Sequence, residues 1–460
     1  MRLLLINPAP KLSNLSKKGF KIQPLNLAYV VAVTPSGWDI EIADENFQEI
    51  EIREDVDLVG ITSMTVTITR AYEIASQFRQ VGIPVVMGGI HVSMVPEEAL
   101  HYADVVVTGE AETIWSKVIK DFEKKSLQRV YKGVFANLEA NHVTPRRDLL
   151  SPRYTFASVQ TSRGCPFDCE FCSVSTFNGK IFRQRPVHEV LNEIEGIPNK
   201  AIAFIDDNLI GYSNDSKKRA KELFQGMIKR RLKKKWGCQA SINFAEDEDL
   251  IELAAESGCS VVLMGIESIN PRVLSGHMKK SLNSSKGVDF YYTILERLHK
   301  YGIILVGSMV FGNDEEDLSI FSETTEFISK GSIDVPWACI STPYPGTGLY
   351  NRLLTENRLL FNRYPEDWNK YTATITFETK PCPSETFYRS YIQFIKKNFS
   401  YANILLRAFK TFMHSKSFFN TLISFNFNLS LKNRYKYNLF SPSEFLAGED
   451  CEMKKFSQGK

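Results

Sequence analysis

Short apolar runs separated by longer amphipathic stretches fill the first third of the chain. Leu3–Ile6, Ile40–Ala43, Leu58–Thr62, Val85–Met87 and Val105–Val107 are too short and too evenly apolar for surface helices, and they read as buried strands. The segments around Leu25–Val33, Thr69–Gln80 and Glu97–Tyr102 read as the helices between them. Strands alternating with helices predict a parallel, doubly wound sheet. Such sheets bind ligands on the loops at the carboxyl ends of their strands. Here those loops are Gly60–Thr65, Gly88–His91 and Gly109–Glu112.

A polar connection over 126–155, carrying Pro145, Arg146, Arg147 and Pro152, interrupts the alternation. It then resumes with Phe156–Thr161, Ala201–Asp206, Trp236–Ala240, Ser260–Ile266, Ile303–Val310 and Ala338–Ser341 as candidate strands. The division this predicts is an α/β domain over 1–135, a linker over 136–155, a second α/β domain over 156–345 and a mainly helical region over 346–460. From Phe387 to Phe440 the last region is rich in aromatic rings interleaved with Lys396, Lys397, Arg407, Lys410 and Lys416. No acidic residue falls between Glu385 and Glu444. Gly448–Lys460 reads as a frayed tail.

A length of 460 residues suits two or three domains. The net charge of +3 is too small to argue for nucleic acid. The start, Met1–Pro8, reads as a strand rather than a signal peptide, and no apolar run reaches spanning length. Of eight cysteines, Cys238, Cys259, Cys339, Cys382 and Cys451 are scattered and read as free thiols, which fits a reducing cytoplasm.

Cys165, Cys169 and Cys172 are different. They sit in the run Thr161–Cys172 with C-x3-C-x2-C spacing and no fourth cysteine nearby. Structural zinc sites close with four protein ligands, whereas iron–sulfur clusters are held by cysteine thiolates. Three thiolates on a cubane leave one iron open to a small molecule. The alternatives are three unrelated thiols or a partial zinc site. With Phe171 before the last cysteine, the run resembles the cluster loop of the radical S-adenosylmethionine (radical SAM) superfamily. In that family the open iron of a [4Fe–4S] cluster chelates SAM and releases a 5'-deoxyadenosyl radical.

The resemblance implies a partial (β/α)6 barrel over 156–345, with its chemistry at the carboxyl ends of the strands. Besides Phe171, it implies SAM contacts from Asp206 and Asp207 after the second strand and from Glu267 after the fourth. Gly307 in the fifth strand would pack on adenine. Gln239 and Asn243, near the end of the third strand, are further candidates, and Ser341–Thr347 would bound the substrate mouth. Asp206–Asn208 also suits a turn or helix cap.

The first third resembles a cobalamin-binding domain. Ser63-Met64-Thr65 and Gly88-Gly89 match two of that family's three loop elements, and glycines let backbone approach a cofactor tail closely. The third, D-x-H-x-x-G, is missing: Lys17–Gly19 offers no Asp or His. The resemblance implies cobalamin with no histidine from that motif beneath cobalt, and contacts from Ser63, Thr65, Gly88, Gly89, His91 and Glu110. His91 reads equally as a hydrogen-bonded loop histidine.

Together the resemblances imply a cobalamin-dependent radical SAM enzyme that methylates an unactivated carbon of a small, hydrophobic or amphipathic molecule. A non-methylating cyclisation, oxidation or rearrangement is the second reading, and a corrinoid-binding module without turnover the third. An electron donor such as flavodoxin or ferredoxin is implied. The basic aromatic stretch adds a peripheral membrane contact to the expectations, against helices that simply pack on the barrel.

Overall fold

The computed structural model describes residues 1–10, 21–140, 143–275, 283, 286–372 and 374–438. Six strands form the first sheet: β1 (Arg2–Asn7), β2 (Asp39–Asp44), β3 (Leu58–Thr62), β4 (Val85–Gly88), β5 (Val105–Thr108) and β6 (Val130–Lys132). All pair in parallel, in the order β2-β1-β3-β4-β5-β6. The central strands are buried throughout, which is why their apolar runs are continuous. β6 falls inside the stretch read as connection. With only Tyr131 buried in a three-residue strand, it has no periodicity to detect.

The second sheet begins with β7 (Ala157–Val159). A short antiparallel pair, β8 (Ser162–Arg163) and β9 (Arg183–Gln184), then brackets the cysteine loop. β10 (Ala201–Phe204), β11 (Lys235–Gln239), β12 (Cys259–Glu267), β13 (Ile304–Phe311) and β14 (Val335–Ile340) follow. The order β14-β13-β12-β11-β10-β7, parallel throughout, is an open barrel of six strands. Each strand is followed by connecting segments that return on the outside, and one apolar core fills the space between.

An open barrel leaves edges, and an unpaired edge invites unwanted pairing. The β14 edge is closed by helices from the C-terminal region. The hydroxyl of Tyr435 accepts from the Ala338 amide at 3.1 Å and donates to the Ala338 carbonyl at 2.6 Å. The Tyr391 hydroxyl reaches the same carbonyl at 3.2 Å.

The two domains are fastened at several points. Ile22 bridges Phe156 at the barrel's first strand, and the Ser158 hydroxyl donates to the Gln23 carbonyl at 2.6 Å. The segment after the barrel also returns to the first domain. Trp368 and Tyr371 are buried in that domain's core beside Tyr72 and Phe78. The C-terminal region is therefore not a single helical unit: its first part completes the first domain, and its helices complete the barrel.

Candidate functional site

The cysteine loop begins at Gly164, held at φ +96°, where a Cβ would run into the backbone of Ile181. Glycine is required there to turn the chain from β8 into the loop. The Cys165 amide donates to the Gly179 carbonyl at 3.1 Å and the Cys172 amide to the Cys169 carbonyl at 3.0 Å, so all three cysteines are anchored by backbone. The Cys165 sulfur lies 3.1 Å from the Tyr212 hydroxyl, and that ring packs edge-on against Phe167. The loop is also tied from outside. Arg352 grips the Glu170 carboxylate at 2.5 and 3.1 Å, and the Leu349 amide donates to the Glu170 carbonyl at 2.9 Å.

Burial, and then the neighbouring charges of Cys172, Glu267 and Cys165, push the Cys169 thiol up to about 12. Burial first, then Cys165, Glu267 and Asp207, pushes Cys172 up to about 11. With Cys165 beside them, these two raised thiols complete a donor set that ionises when a cation neutralises it. Among the described residues every cysteine is a free thiol. The set fits a cluster with three cysteine ligands.

Glu267 ends β12 at φ +63°, next to an irregularity in the β12–β13 register. A glutamate in the left-handed region is strained, and strain of this kind concentrates at functional positions. Its side chain folds over Gly265, where any Cβ would collide with it. Burial pushes its carboxyl up to about 7. Gln239 stands exposed at the end of β11. Asn243 is buried, donates to the Gly211 carbonyl at 2.8 Å and leaves its own carbonyl oxygen unpartnered. Phe171 packs on Val273 and Leu274 and lines a crevice with Gly312 and Ser341.

Three of the expected SAM residues sit differently. Asp206 is fully buried and its carboxylate is engaged from within. It accepts from the Thr161 amide at 3.0 Å, the Thr161 hydroxyl at 2.8 Å and the Ser162 hydroxyl at 2.6 Å. It holds the start of the cysteine loop, while Asp207 accepts from the Asn178 side chain at 2.9 Å on the far side of that loop. Gly307 turns its missing side chain toward Ile266 and Ile333, on the core side of β13. Glu316 escaped sequence reading. Fully buried, it accepts from Ser268 and from the amides of Gly312 and Asn313, joining the ends of β12 and β13.

On the first domain, the loops after β3 and β4 interlock. The Ser63 amide donates to the Gly88 carbonyl at 3.0 Å, and Gly89 sits at φ +102° with Ser63 backbone 2.5 Å from where a Cβ would lie. Met64 projects from this backbone cradle, 57% exposed. A flat backbone shelf topped by one apolar side chain fits a large macrocycle. Lys17–Gly19 lies outside the described residues. His91 faces inward. It is 1% exposed, with Nδ1 3.1 Å from the Thr65 hydroxyl, Nε2 3.4 Å from the Glu98 carboxylate and its ring edge-on to Trp368. Thr65 and His91 are thus joined beneath the returning C-terminal segment rather than open at the ligand edge.

Glu110 also serves a different contact from the one expected. It is buried and meets Arg163 at 2.9 Å and Arg183 at 2.5 Å, the two strand residues that bracket the cysteine loop. The Ala136 amide adds a third donor at 2.7 Å. Arg163 pairs with Glu112 as well. Four charges spanning two domains therefore fix the cysteine loop against the loop after β5. Charge-assisted bonds of this kind hold geometry well in a buried site.

Residues 14–119 match the B12 binding domain family, and residues 159–327 match the Radical SAM superfamily. The chain is 30% identical over 428 residues to the bacteriochlorophyllide d C-12(1)-methyltransferase of Chlorobaculum tepidum, covering 88% of each. It is 32% identical to the bacteriochlorophyllide d C-8(2)-methyltransferase of the same organism, covering 75% of this chain and 78% of that one. The cobalamin-dependent SAM radical enzyme OxsB, solved with aqua-cobalamin and SAM bound, shares the fold. Its TM-score is 0.68 at 15% identity, over 96% of this chain and 77% of that one. The cofactors are cobalamin, a [4Fe–4S] cluster and SAM. With both domains matched and relatives of this similarity spanning most of its length, the chain belongs to the cobalamin-dependent radical SAM methyltransferases.

Proposed function

We propose that this enzyme methylates an unactivated carbon of a small, hydrophobic molecule held between the cysteine loop and the first domain's Ser63–Gly89 shelf. The observation that supports it is the Glu110–Arg163–Arg183 lock, which fixes the cysteine loop against the first domain. Bound to these loops, the cluster with SAM supplies the adenosyl radical and the corrinoid supplies the methyl group. The chain's own part is orientation and exclusion of water. Cys165, Cys169 and Cys172 hold the cluster, Glu267 receives the ribose hydroxyls of SAM, and Gln239 and Asn243 offer polar contacts beside it. Ser63, Gly88 and Gly89 supply the corrinoid shelf.

An apolar substrate is supported by Ile181 and Phe135. Both are exposed, the first in the cysteine-loop segment and the second at the start of the connection, with Phe135 against Gly179. The relatives that methylate bacteriochlorophyllides act on molecules of this class. A small low-potential protein such as flavodoxin or ferredoxin would deliver the electron.

The test is anaerobic turnover of the reconstituted enzyme with methyl-labelled SAM and an apolar extract of its host. Label in an extractable apolar product, with 5'-deoxyadenosine and S-adenosylhomocysteine formed together, supports the proposal. Label confined to polar metabolites would refute the substrate class, and 5'-deoxyadenosine without S-adenosylhomocysteine would refute methyl transfer.

A further inference from the structure

The last two helices, Tyr401–Ser415 and Phe418–Asn438, form a hairpin that buries a mixed polar and apolar row and exposes an apolar one. Beside Ile404, Ala408, Leu431 and Tyr435, the row facing the barrel holds several polar side chains. Arg407 and Thr411 on the first helix, and Asn420, Ser424 and Asn428 on the second, are all buried. They bond inward. The Arg407 guanidinium donates to Asn428 at 3.0 Å, Asn428 to the Asp334 carbonyl at 2.8 Å, and Asn420 to the Gly302 carbonyl at 2.8 Å.

The outward row is apolar. Tyr401, Leu405, Phe409 and Met413 recur every four residues and are all exposed. Phe418 and Leu422 continue the strip across the hairpin turn. Residues four apart share one helix face, so this is a continuous stripe rather than scattered exposure. A helix facing water puts its polar side out. This hairpin instead leaves an apolar row facing outward, while its buried polar side chains bond to the barrel and to each other.

The charge around the stripe selects what covers it. Lys396 and Lys397 lie exposed just before the first helix, and Lys416 is exposed at the turn. No acidic residue occurs between Glu385 and Glu444. A second copy seated face to face would set lysines against lysines. An anionic lipid surface takes both features together: rings and aliphatic chains enter the headgroup boundary while lysines meet phosphate. No helix among the described residues is long and apolar enough to span a bilayer, so contact would be lateral. We propose that the outer face of the hairpin docks the enzyme on an anionic membrane surface. Its helices also cover the β14 edge of the barrel, which places an apolar phase beside the catalytic domain. The inference stands apart from which carbon is methylated.

The test is flotation of the intact, reconstituted protein with vesicles of phosphatidylcholine alone or mixed with phosphatidylglycerol, at low and high salt. The protein should float with the mixed vesicles, less so at high salt. Leu405→Glu combined with Phe409→Glu should cut the bound fraction at least about tenfold. Val81→Glu, at an exposed apolar position on the first domain, should leave it unchanged. Melting temperature and iron content, equal among the three proteins, show that folding is intact. The proposal is overturned if the wild-type protein binds neither vesicle, or if the double variant floats as well as wild type. It is equally overturned if wild type is a vesicle-indifferent dimer that the double variant converts to monomer.

Discussion

Glu110 of the first domain lies 2.9 Å from the guanidinium of Arg163, two residues ahead of Cys165, and both side chains are buried. The bond makes the position of the cysteine loop depend on the cobalamin-type domain. It gives the two-cofactor site a mechanical basis.

Removing one partner of this lock strands buried charge. Glu110→Ala should destabilise the protein by about 3–5 kcal/mol, the cost of opening a buried pair. Glu110→Gln, which keeps the shape, should cost less and still reconstitute iron while losing turnover. Thermal melting and iron analysis separate the two effects. A Glu110→Ala protein with wild-type melting and turnover would show that the lock positions nothing.

Gly89→Ala bears on the shelf. Alanine at φ +102° is strained, and its Cβ would press on Ser63 backbone 2.5 Å away, so the loops must part. Cobalamin retained through gel filtration should fall at least about tenfold, or ~1.4 kcal/mol. Iron bound by the cysteine loop should be unchanged, and simultaneous loss of both would mean a general folding defect instead.

Glu267→Gln removes from the end of β12 a carboxyl that is ionised above about pH 7, without changing its size. A hydrogen bond to a charged group contributes about 1.5–3 kcal/mol, so SAM should bind about tenfold or more weakly. Isothermal titration into the reconstituted protein measures it. The electronic spectrum of the cluster should stay as in wild type, and undiminished SAM affinity would remove Glu267 from the ribose site.

Asp334 anchors the far end of the barrel. Burial alone would raise its carboxyl, but His299 at 2.9 Å and His414 at 3.1 Å outweigh burial and hold it well below its ordinary value of 3.8. The two imidazoles stack 3.5 Å apart, and the Thr411 hydroxyl adds a bond at 2.6 Å. A carboxyl with a depressed folded value stabilises above its unfolded pKa, and that stability is lost as pH falls through the folded value. Asp334→Asn should therefore cost about 3 kcal/mol near neutrality. The gap to wild type should close progressively below pH 3.8. Chemical denaturation across that range measures the gap, and a gap independent of pH would exclude the carboxylate as its source.

The cysteine spacing, the parallel strands and the glycine loops were legible in the sequence because each is a local property. Continuous apolar runs such as Val105–Val107 point to buried strands, and the C-x3-C-x2-C spacing within one loop carries the resemblance to a cluster loop without reference to the rest of the chain. Glu267 and Gly89 were named from local motifs, whereas their positive φ values appeared only in the folded backbone.

What the tertiary structure decided concerns side chains whose partners are remote. Glu110 reads as a ligand-edge carboxylate until Arg183, 73 positions away, is placed against it. His91 reads as open until Trp368 covers it, and Asp206 as a SAM acceptor until the Thr161 amide claims its oxygens. The aromatic, basic stretch was visible as composition. Which of its faces met water depended on Asp334 and the barrel drawing Thr411, Ser424 and Asn428 inward. Periodicity states that a helix has two faces, whereas only the packing surface it meets decides which one is buried.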